Sequence, residues 1–210
     1  MTDKKEWWMS DKFDMWNERY ANQGYFYGSE PNDFLQEACG AIPKGGSVLC
    51  LAEGEGRNAV FLAGLGYAVT AVDGSAQGLA KLQTLANEKG VRVAAVCADL
   101  ADYDMGNGAW DGIVSIWCHL PNPLRSEVHR KAVAALKPGG VFLLEAYTPK
   151  QLAYKTGGPP DVALLMTLSA LRQELSGLQI EHGVEIDRDI QEGRGHLGTS
   201  AVVQVLARKP

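Results

Sequence analysis

Glycines and carboxylates alternate in the segment Glu53-Gly54-Glu55-Gly56, directly after the apolar run 48–51. The residues after Gly56 take up helical spacing, so the pattern predicts a buried strand, a tight loop and the first turns of a helix. Glycines let the backbone of such a loop approach a ligand closely, which is typical of a nucleotide site. A side chain at Gly56 would fill the ligand's space, so Gly56→Val should abolish binding and leave the protein folded.

A dinucleotide is one ligand that this pattern suggests. Gly54, Gly56 and Ala59 match the dinucleotide fingerprint, and Asp73 follows at roughly the spacing of the acid that binds a ribose. The two carboxylates of the loop, however, would face the anionic pyrophosphate. Like charges at short range in a partly buried site cost energy, which disfavours a dinucleotide.

S-adenosylmethionine (SAM) suits the same loop better. It brings a sulfonium and an ammonium group to a loop that carries Glu53 and Glu55. Its single carboxylate could bind the helix N-terminal amides or Arg57. We therefore expect SAM as the cofactor.

Polar residues also follow the next predicted strands. Ligands of parallel sheets bind beyond the carboxyl ends of the strands, so these residues should share one site. Asp102 and Asp104 are alternatives to Asp99, and Arg57 and Asn58 fit equally well as ordinary residues of a first helical turn. The candidate cofactor ligands are Glu53, Gly54, Gly56, Arg57, Asn58, Asp73, Gly74, Asp99, Leu100 and Trp117.

The order of the predicted elements indicates an α/β fold. Strands and helices alternate, which predicts a mostly parallel Rossmann-like sheet with helices on both faces and a C-terminal antiparallel hairpin. Ser75 can cap a helix that ends near Lys89, and Lys137-Pro-Gly-Gly140 stops a helix over 125–136. The other predictions are strands at 67–73, 91–97, 113–117, 141–146, 179–190 and 200–207, a loop at 156–160, a helix at 163–175 and a long hairpin loop at 191–198.

The N-terminal residues 1–30 are expected to form a tail and a lid helix. The tail covers 1–9, and an amphipathic helix starts at Ser10. A glycine-broken loop follows at 24–28, and Pro31 then opens a second helix to about Cys39. Packing alone explains the aromatic face of the first helix as well as a lid does. That face carries Phe13, Trp16 and Tyr20.

The whole-chain composition narrows the function further. With 210 residues and a net charge of −5 without a basic run, the chain should be one domain that acts on small molecules rather than nucleic acid or membrane. We expect a cytoplasmic monomer or homodimer without a metal site. The cysteines are scattered and should be small core residues: Cys39, Cys50, Cys97 and Cys118.

With these segments in hand, the chain resembles the class I SAM-dependent methyltransferases from about Trp16 to its end. It is most similar to the small-molecule group that includes the tellurite-resistance methyltransferases. The segments that carry the resemblance are 54–58, 71–73, 98–100, 136–140 and the closing hairpin. Residues 31–210 would then form the methyltransferase domain. The chain departs from the family at Cys50 and Ala52, where an acid and a first glycine are usual.

The resemblance implies roles for the cofactor residues. Gly54 and Gly56 would pass under the methionyl part, and Asp73 would hold the ribose. Asp99 and the amide of Leu100 would contact the adenine. Because of the departures, contacts near the amino group would pass to Glu53.

Three polar residues are candidates for the acceptor side: His119, Arg194 and His196. His119 follows the fourth strand and could accept a proton, or could be bonded to loop backbone. Arg194 and His196 lie two residues apart in the hairpin turn, so both could point toward an anionic acceptor, or the turn could simply be solvated. A related hairpin carries basic residues in the tellurite-resistance group.

We expect in-line methyl transfer to a small nucleophile, in which desolvation and alignment supply most of the catalysis. Within that activity, the alternative acceptor is a metalloid oxyanion of the tellurite type. From other classes, an NAD-type oxidoreductase and a non-catalytic SAM-binding protein also fit the sequence.

Overall fold

Seven strands and six α-helices make up the described part of the chain, which in this computed structural model is residues 7–210, with side chains from residue 13 onward. The strands are β1 (Ser47–Leu51), β2 (Ala68–Asp73), β3 (Ala94–Cys97), β4 (Trp110–Ile116), β5 (Leu136–Tyr147), β6 (Gln179–Glu192) and β7 (His196–Arg208). The helices are α1 (Trp7–Ala21), α2 (Asp33–Ala38), α3 (Arg57–Gly64), α4 (Ala76–Glu88), α5 (Leu124–Ala135) and α6 (Leu168–Glu174).

The strands form one sheet in the order β3-β2-β1-β4-β5-β7-β6. Strands β1 to β5 are parallel to one another, and β7 is antiparallel to both β5 and β6. This sheet confirms the predicted Rossmann-like fold with a C-terminal antiparallel hairpin. Its parallel strands end at one edge, where the glycine loop also begins.

Alternation along β1 shows why both faces of the sheet are covered. Leu49 and Leu51 pack in an apolar cluster with residues of α5 and α6. Val48 and Cys50 pack in a second cluster with residues of α2, α3 and α4. Successive side chains of a strand point to opposite faces, so an apolar run without alternation requires helices on both.

The helices start where polar side chains can cap them. Ser75 accepts a hydrogen bond from the Gly78 amide (3.1 Å), which confirms the predicted cap of α4. The second helix begins after Asn32, whose side chain accepts from the Leu35 amide, rather than at Pro31. Within residues 7–210, no helix combines the length and apolar character that a membrane crossing requires.

The predicted helix at 163–175 is wrong in its first half. A short 3-10 helix (Val162–Leu164) comes first, and α6 then starts separately. Leu165 between them is extended (ψ 154°), and Thr167 caps α6 by accepting from the Ala170 amide at 3.2 Å. A threonine inside an apolar helical pattern competes for the backbone as an N-cap, and here the cap prevails.

The predicted long loop at 191–198 is also wrong. β6 and β7 stay paired as far as Glu192 and His196, so the turn has only the three residues between them. The glycines of this segment indicated a loop, but Gly198 lies within β7, where it pairs with Ile190. The tight turn fixes Glu192 and His196 opposite one another.

Two smaller expectations also need correction. The first helix starts by Trp7 rather than at Ser10, so only residues 1–6 of the expected tail fall outside the described residues. Cys97 is exposed, whereas the other three cysteines are buried. It lies on the edge strand β3, which has a neighbour on one side only.

Candidate active site

The glycine loop joins β1 to α3 at the carboxyl edge of the sheet. Gly56 has a φ of 91° and is the N-cap of α3. A Cβ atom at Gly56 would lie 2.3 Å from Cγ and 2.9 Å from Cα of Leu82 in α4. Gly56 therefore packs against α4, so Gly56→Val should destabilise the fold itself and not only fill space that a ligand needs. Gly54 faces α1 instead, because a Cβ there would lie 2.6 Å from the Tyr20 hydroxyl.

Glu53 occupies the N-terminus of α3. Its Oε1 accepts a hydrogen bond from the Ala59 amide at 2.8 Å. Burial raises the pKa of Glu53 to about 7, against the opposing effect of the Ala59 amide and Arg57. An anionic pyrophosphate, or the carboxylate of SAM, would have to displace this side chain to reach the Ala59 amide. The structure thus disfavours a dinucleotide, and it also disfavours the expected contact of the SAM carboxylate with these amides.

Asp73 lies at the end of β2, 9% exposed. Its two carboxylate oxygens each accept one backbone hydrogen bond, from the amides of Gly54 and Ser75, both at 2.7 Å. Burial raises the pKa of Asp73, and these two hydrogen bonds oppose the rise. A carboxylate oxygen accepts more than one hydrogen bond, so Asp73 can still receive the two hydroxyls of a ribose.

The segment after β3 runs beside Asp73, since the Ala98 amide donates to the Asp73 carbonyl at 3.0 Å. Asp99 follows there and accepts from the Ala101 amide at 2.9 Å. Leu100 is buried in the core. The carboxylates at this edge of the sheet are those of Glu53, Asp73 and Asp99. They can accept hydrogen bonds from hydroxyl and ammonium groups, and SAM carries both.

Arg57 and Asn58 turn away from the loop. Arg57 donates to Oε2 of Glu192 at 2.6 Å, and both side chains are buried. Asn58 accepts a hydrogen bond from the Asn32 backbone amide at 2.9 Å. These contacts favour the alternative in which the two residues are structural rather than cofactor ligands.

Arg57 belongs to a largely buried cluster of charged and amide side chains that sequence reasoning missed. Its members are Asn32, Arg57, Glu145, Arg188, Glu192 and Gln204. Arg188 donates twice to Glu145, at 2.9 and 2.8 Å, and Asn32 donates to both Glu145 and Glu192. The available signal was Glu145 itself, the one charged residue in the apolar run 141–147.

Glu192 collects three donors on one oxygen. Its Oε2 lies 2.6 Å from Arg57, 2.7 Å from the Trp117 indole nitrogen and 3.2 Å from Nδ1 of His196. Burial alone would raise the pKa of Glu192, but the contacts with His196 and Arg57 outweigh it and hold the pKa at about 2. Glu192 is therefore ionised across the whole physiological range.

Aromatic rings gather beyond β4 and β5. Trp117 has a φ of 58° and stacks on Tyr147, with ring centroids 4.4 Å apart. His196 packs against Trp117 (4.8 Å), Tyr147 (5.3 Å) and Tyr27 (4.6 Å). The Tyr147 hydroxyl is the one buried side-chain polar atom without a hydrogen-bond partner among the described residues. An unpaired buried hydroxyl costs free energy, which makes the Tyr147 hydroxyl a candidate contact for a ligand group.

His119 is fixed by backbone on both ring nitrogens. Nδ1 lies 3.0 Å from the Leu164 carbonyl, and the Tyr147 amide approaches Nε2 at 3.5 Å. Burial lowers the pKa of His119 to about 4. The contacts favour the structural alternative for this histidine over the expected role as a proton acceptor.

Arg194 and His196 diverge, against the expectation that they point the same way. His196 is 5% exposed and turns into the aromatic group. Arg194 is exposed, donates to the Gln23 carbonyl at 3.4 Å and lies 5.6 Å from the centroid of the Phe26 ring. Residues two apart in a strand point to the same side, but Arg194 lies in the turn before β7 and bends toward the N-terminal segment.

The N-terminal segment covers the glycine loop. Phe13 of α1 lies on Gly74, where a Cβ atom would come within 1.7 Å of a ring carbon. Glu55, expected to face the cofactor, instead accepts from the Phe26 amide at 2.6 Å and pairs with Lys81 at 2.8 Å. The loop and the N-terminal segment are therefore held in direct contact.

Comparison with known proteins agrees with this geometry. Residues 48–140 match the methyltransferase domain family. A structure reported for the conversion of a disulfide bond into a thioacetal group during echinomycin biosynthesis is 20% identical, with a TM-score of 0.76 over 94% of this chain and 92% of that one. No match is found among curated proteins.

Two further structures support the resemblance to the tellurite-resistance group and its class. TehB from Haemophilus influenzae is 20% identical, with a TM-score of 0.70 over 95% of this chain and 67% of that one. A SAM-dependent methyltransferase from Methanosarcina mazei is 16% identical, with a TM-score of 0.68 over 86% and 98%. Residues 48–140 thus match a methyltransferase domain, and the chain shares the fold of SAM-dependent methyltransferases, which implies SAM as the cofactor.

Proposed function

We propose that the chain transfers the methyl group of SAM to a small-molecule acceptor bound at Trp117, Tyr147 and His196. The observation that carries the proposal is the unpaired, buried Tyr147 hydroxyl beside the His196 ring. Trp117 and Tyr147 lie at the carboxyl ends of β4 and β5, and His196 begins the antiparallel strand β7 at the same edge of the sheet. Tyr147 and His196 are buried, so a small acceptor suits them better than a polymer.

SAM supplies an electrophilic methyl group on a sulfonium. Asp73 would receive its ribose hydroxyls and Glu53 its ammonium group, which favours the ionised form of Glu53. The faces of Trp117 and Tyr147 exclude water and offer π density to a cation. Alignment of the acceptor with the methyl carbon then supplies most of the rate.

The echinomycin-related structure was reported for the conversion of a disulfide bond into a thioacetal group, a reaction of a compound that contains sulfur. The likeness to TehB supports the alternative acceptor, a metalloid oxyanion. Sulfur compounds and tellurite therefore both belong in a test of the proposal.

Binding and transfer can be tested together. SAM at a hundredfold its Kd should stabilise the protein by about 2.7 kcal/mol, whereas NAD should leave the melting temperature unchanged. Labelled methyl transfer should reach members of a panel of thiols, amines, phenols and tellurite, and not RNA or protein. Asp73→Ala should weaken SAM, while Asp104→Ala, which removes a similar contact to the Gly106 amide, should not. Transfer to RNA or protein alone would contradict a small acceptor.

We also propose that α1 and the segment after it, to residue 30, act as a lid. Phe13 lies against Gly74 and Tyr20 against Gly54, so both cover glycines that are candidate cofactor ligands. With the demethylated product bound, amide hydrogens of α1 should exchange at least tenfold more slowly, because closure over a ligand removes local openings. Exchange in α5 serves as the reference and should not change. Equal exchange in α1 with and without the product would count against a lid.

A cytoplasmic location is part of the same proposal. All four cysteines are free thiols, a state that reducing compartments maintain. Fractionation of the tagged chain with any other compartment would contradict it.

A further inference from the structure

We propose that Glu192 and His196 form a general-base pair for an acceptor that arrives uncharged and protonated, and that this acceptor is a thiol. The inference rests on the proposed function and deepens it. Glu192 acts as a positioning residue, and Nε2 of His196 takes the proton.

The hydrogen bonds assign the tautomer of His196. Glu192 is ionised, so it only accepts, and Nδ1 of His196 at 3.2 Å must carry the hydrogen. Nε2 then presents its lone pair, and no described residue donates to it. Burial lowers the pKa of His196, against the effect of Glu192, so the ring is neutral at pH 7. A neutral imidazole with one nitrogen fixed by a carboxylate is the arrangement of a general base.

The charges around His196 disfavour an anionic acceptor. The titratable or charged groups that face it are Glu192, Arg57, Glu145, Tyr27, Tyr147 and His119. Arg57 is paired with Glu192, and Glu145 is paired with Arg188. An oxyanion would therefore meet no unpaired cation among these groups, and its desolvation would be uncompensated.

Two further arginines lie on the outer side. Arg19 donates to the Tyr27 hydroxyl at 3.0 Å and lies 4.5 Å from the centroid of the Trp16 ring. It is the Tyr27 ring, not Arg19, that contacts His196. Arg194 is exposed, as described above. Among the described contacts, neither arginine reaches the rings of Trp117, Tyr147 or His196.

A thiol matches this base. Its proton has a pKa of about 8.5, within reach of a neutral imidazole, and the thiolate rather than the thiol is the nucleophile. The S–H bond breaks as its proton goes to Nε2 of His196. The sulfur then forms a bond to the methyl carbon as the carbon–sulfonium bond breaks, which leaves a neutral methyl thioether and a neutral demethylated product. The imidazolium finally releases its proton to water.

The test compares two acceptors that differ in ionisation. An alkanethiol is protonated at pH 7, whereas a nitro-substituted thiophenol is already a thiolate. His196→Asn should lower the alkanethiol rate about a hundredfold and change the thiophenol rate less than threefold. Above the pH at which the alkanethiol ionises, the variant should approach the parent. His182→Asn, an exposed histidine of β6, is the matched control and should leave both rates unchanged.

Glu192 is tested separately because Glu192→Gln leaves Arg57 buried without its partner. The variant should lower kcat for the alkanethiol about tenfold with little change in KM. Independently of activity and of any variant, nitrogen-15 NMR of the unliganded parent should show His196 protonated on Nδ1. Protonation on Nε2 would overturn the inference.

The remaining outcomes are also decisive. If His196→Asn lowers the methylation rates of both thiols equally, His196 is structural and its role as a general base is overturned. Methylation of tellurite in preference to either thiol would overturn the acceptor class and leave the proposed function intact. If SAM binds and no small acceptor is methylated, the proposed function fails as well.

Discussion

Replacing Gly56 by valine is expected to destabilise the protein by about 2–5 kcal/mol. The left-handed backbone at φ 91° costs a β-branched residue about 1–2 kcal/mol, and forcing its side chain into the packed contact with Leu82 costs about 1–3 kcal/mol more. Leu82 is fully buried and its backbone is part of the overlap, so a rotamer change cannot relieve it. Denaturant unfolding of the variant measures the loss.

Gly66 provides the matched control. Its φ of 90° is almost the same, but a Cβ there would meet nothing within 4 Å. Gly66→Val therefore reports the backbone cost alone, and the difference between the variants reports the overlap with Leu82. Equal losses in the two variants would show that Gly56 has room for a side chain.

Replacing Arg188 by leucine should destabilise the protein by about 3–5 kcal/mol. Glu145 is 0% exposed, and Arg188 neutralises it with two hydrogen bonds. Without Arg188 a carboxylate is left buried and uncompensated, which is the costly way to break such a pair. Thermal and denaturant unfolding give the change in free energy.

A second substitution checks that reason. Glu145→Gln removes the charge and should recover part of the stability when added to Arg188→Leu. Arg130→Ala, which breaks an exposed pair with Glu127, should leave the melting temperature unchanged. If the double variant is no more stable than Arg188→Leu, the uncompensated charge is not the cause.

The fold could be predicted because its signals are local. The apolar run of β1, the Ser75 cap and the alternation of strands and helices each depend on neighbouring residues. Where two local signals compete, the prediction failed. The apolar pattern predicted one continuous helix, but Thr167 caps α6 and the helix begins there. The glycines after Glu192 predicted a long loop, but β6 and β7 stay paired.

The site was less accessible from sequence because its contacts are long-range. Arg57 looked like a cofactor ligand because its partner Glu192 lies 135 residues away. His119 similarly bonds a carbonyl 45 residues away. No pattern within a window of helical or strand length reports such pairs. The roles of Asp73, Asp99 and Glu53 toward SAM stay predictions, which the geometry favours.

Phe26 and Asn32 have a consequence for the order in which the molecule assembles. The Phe26 amide binds Glu55, and its carbonyl accepts from the Arg194 amide at 2.8 Å. Asn32 binds Glu192, 160 residues away. Glu192 and Arg194 lie in the hairpin β6–β7, so these two contacts form only once the hairpin has been made. The cover of the glycine loop is therefore complete only after β6 and β7 have paired.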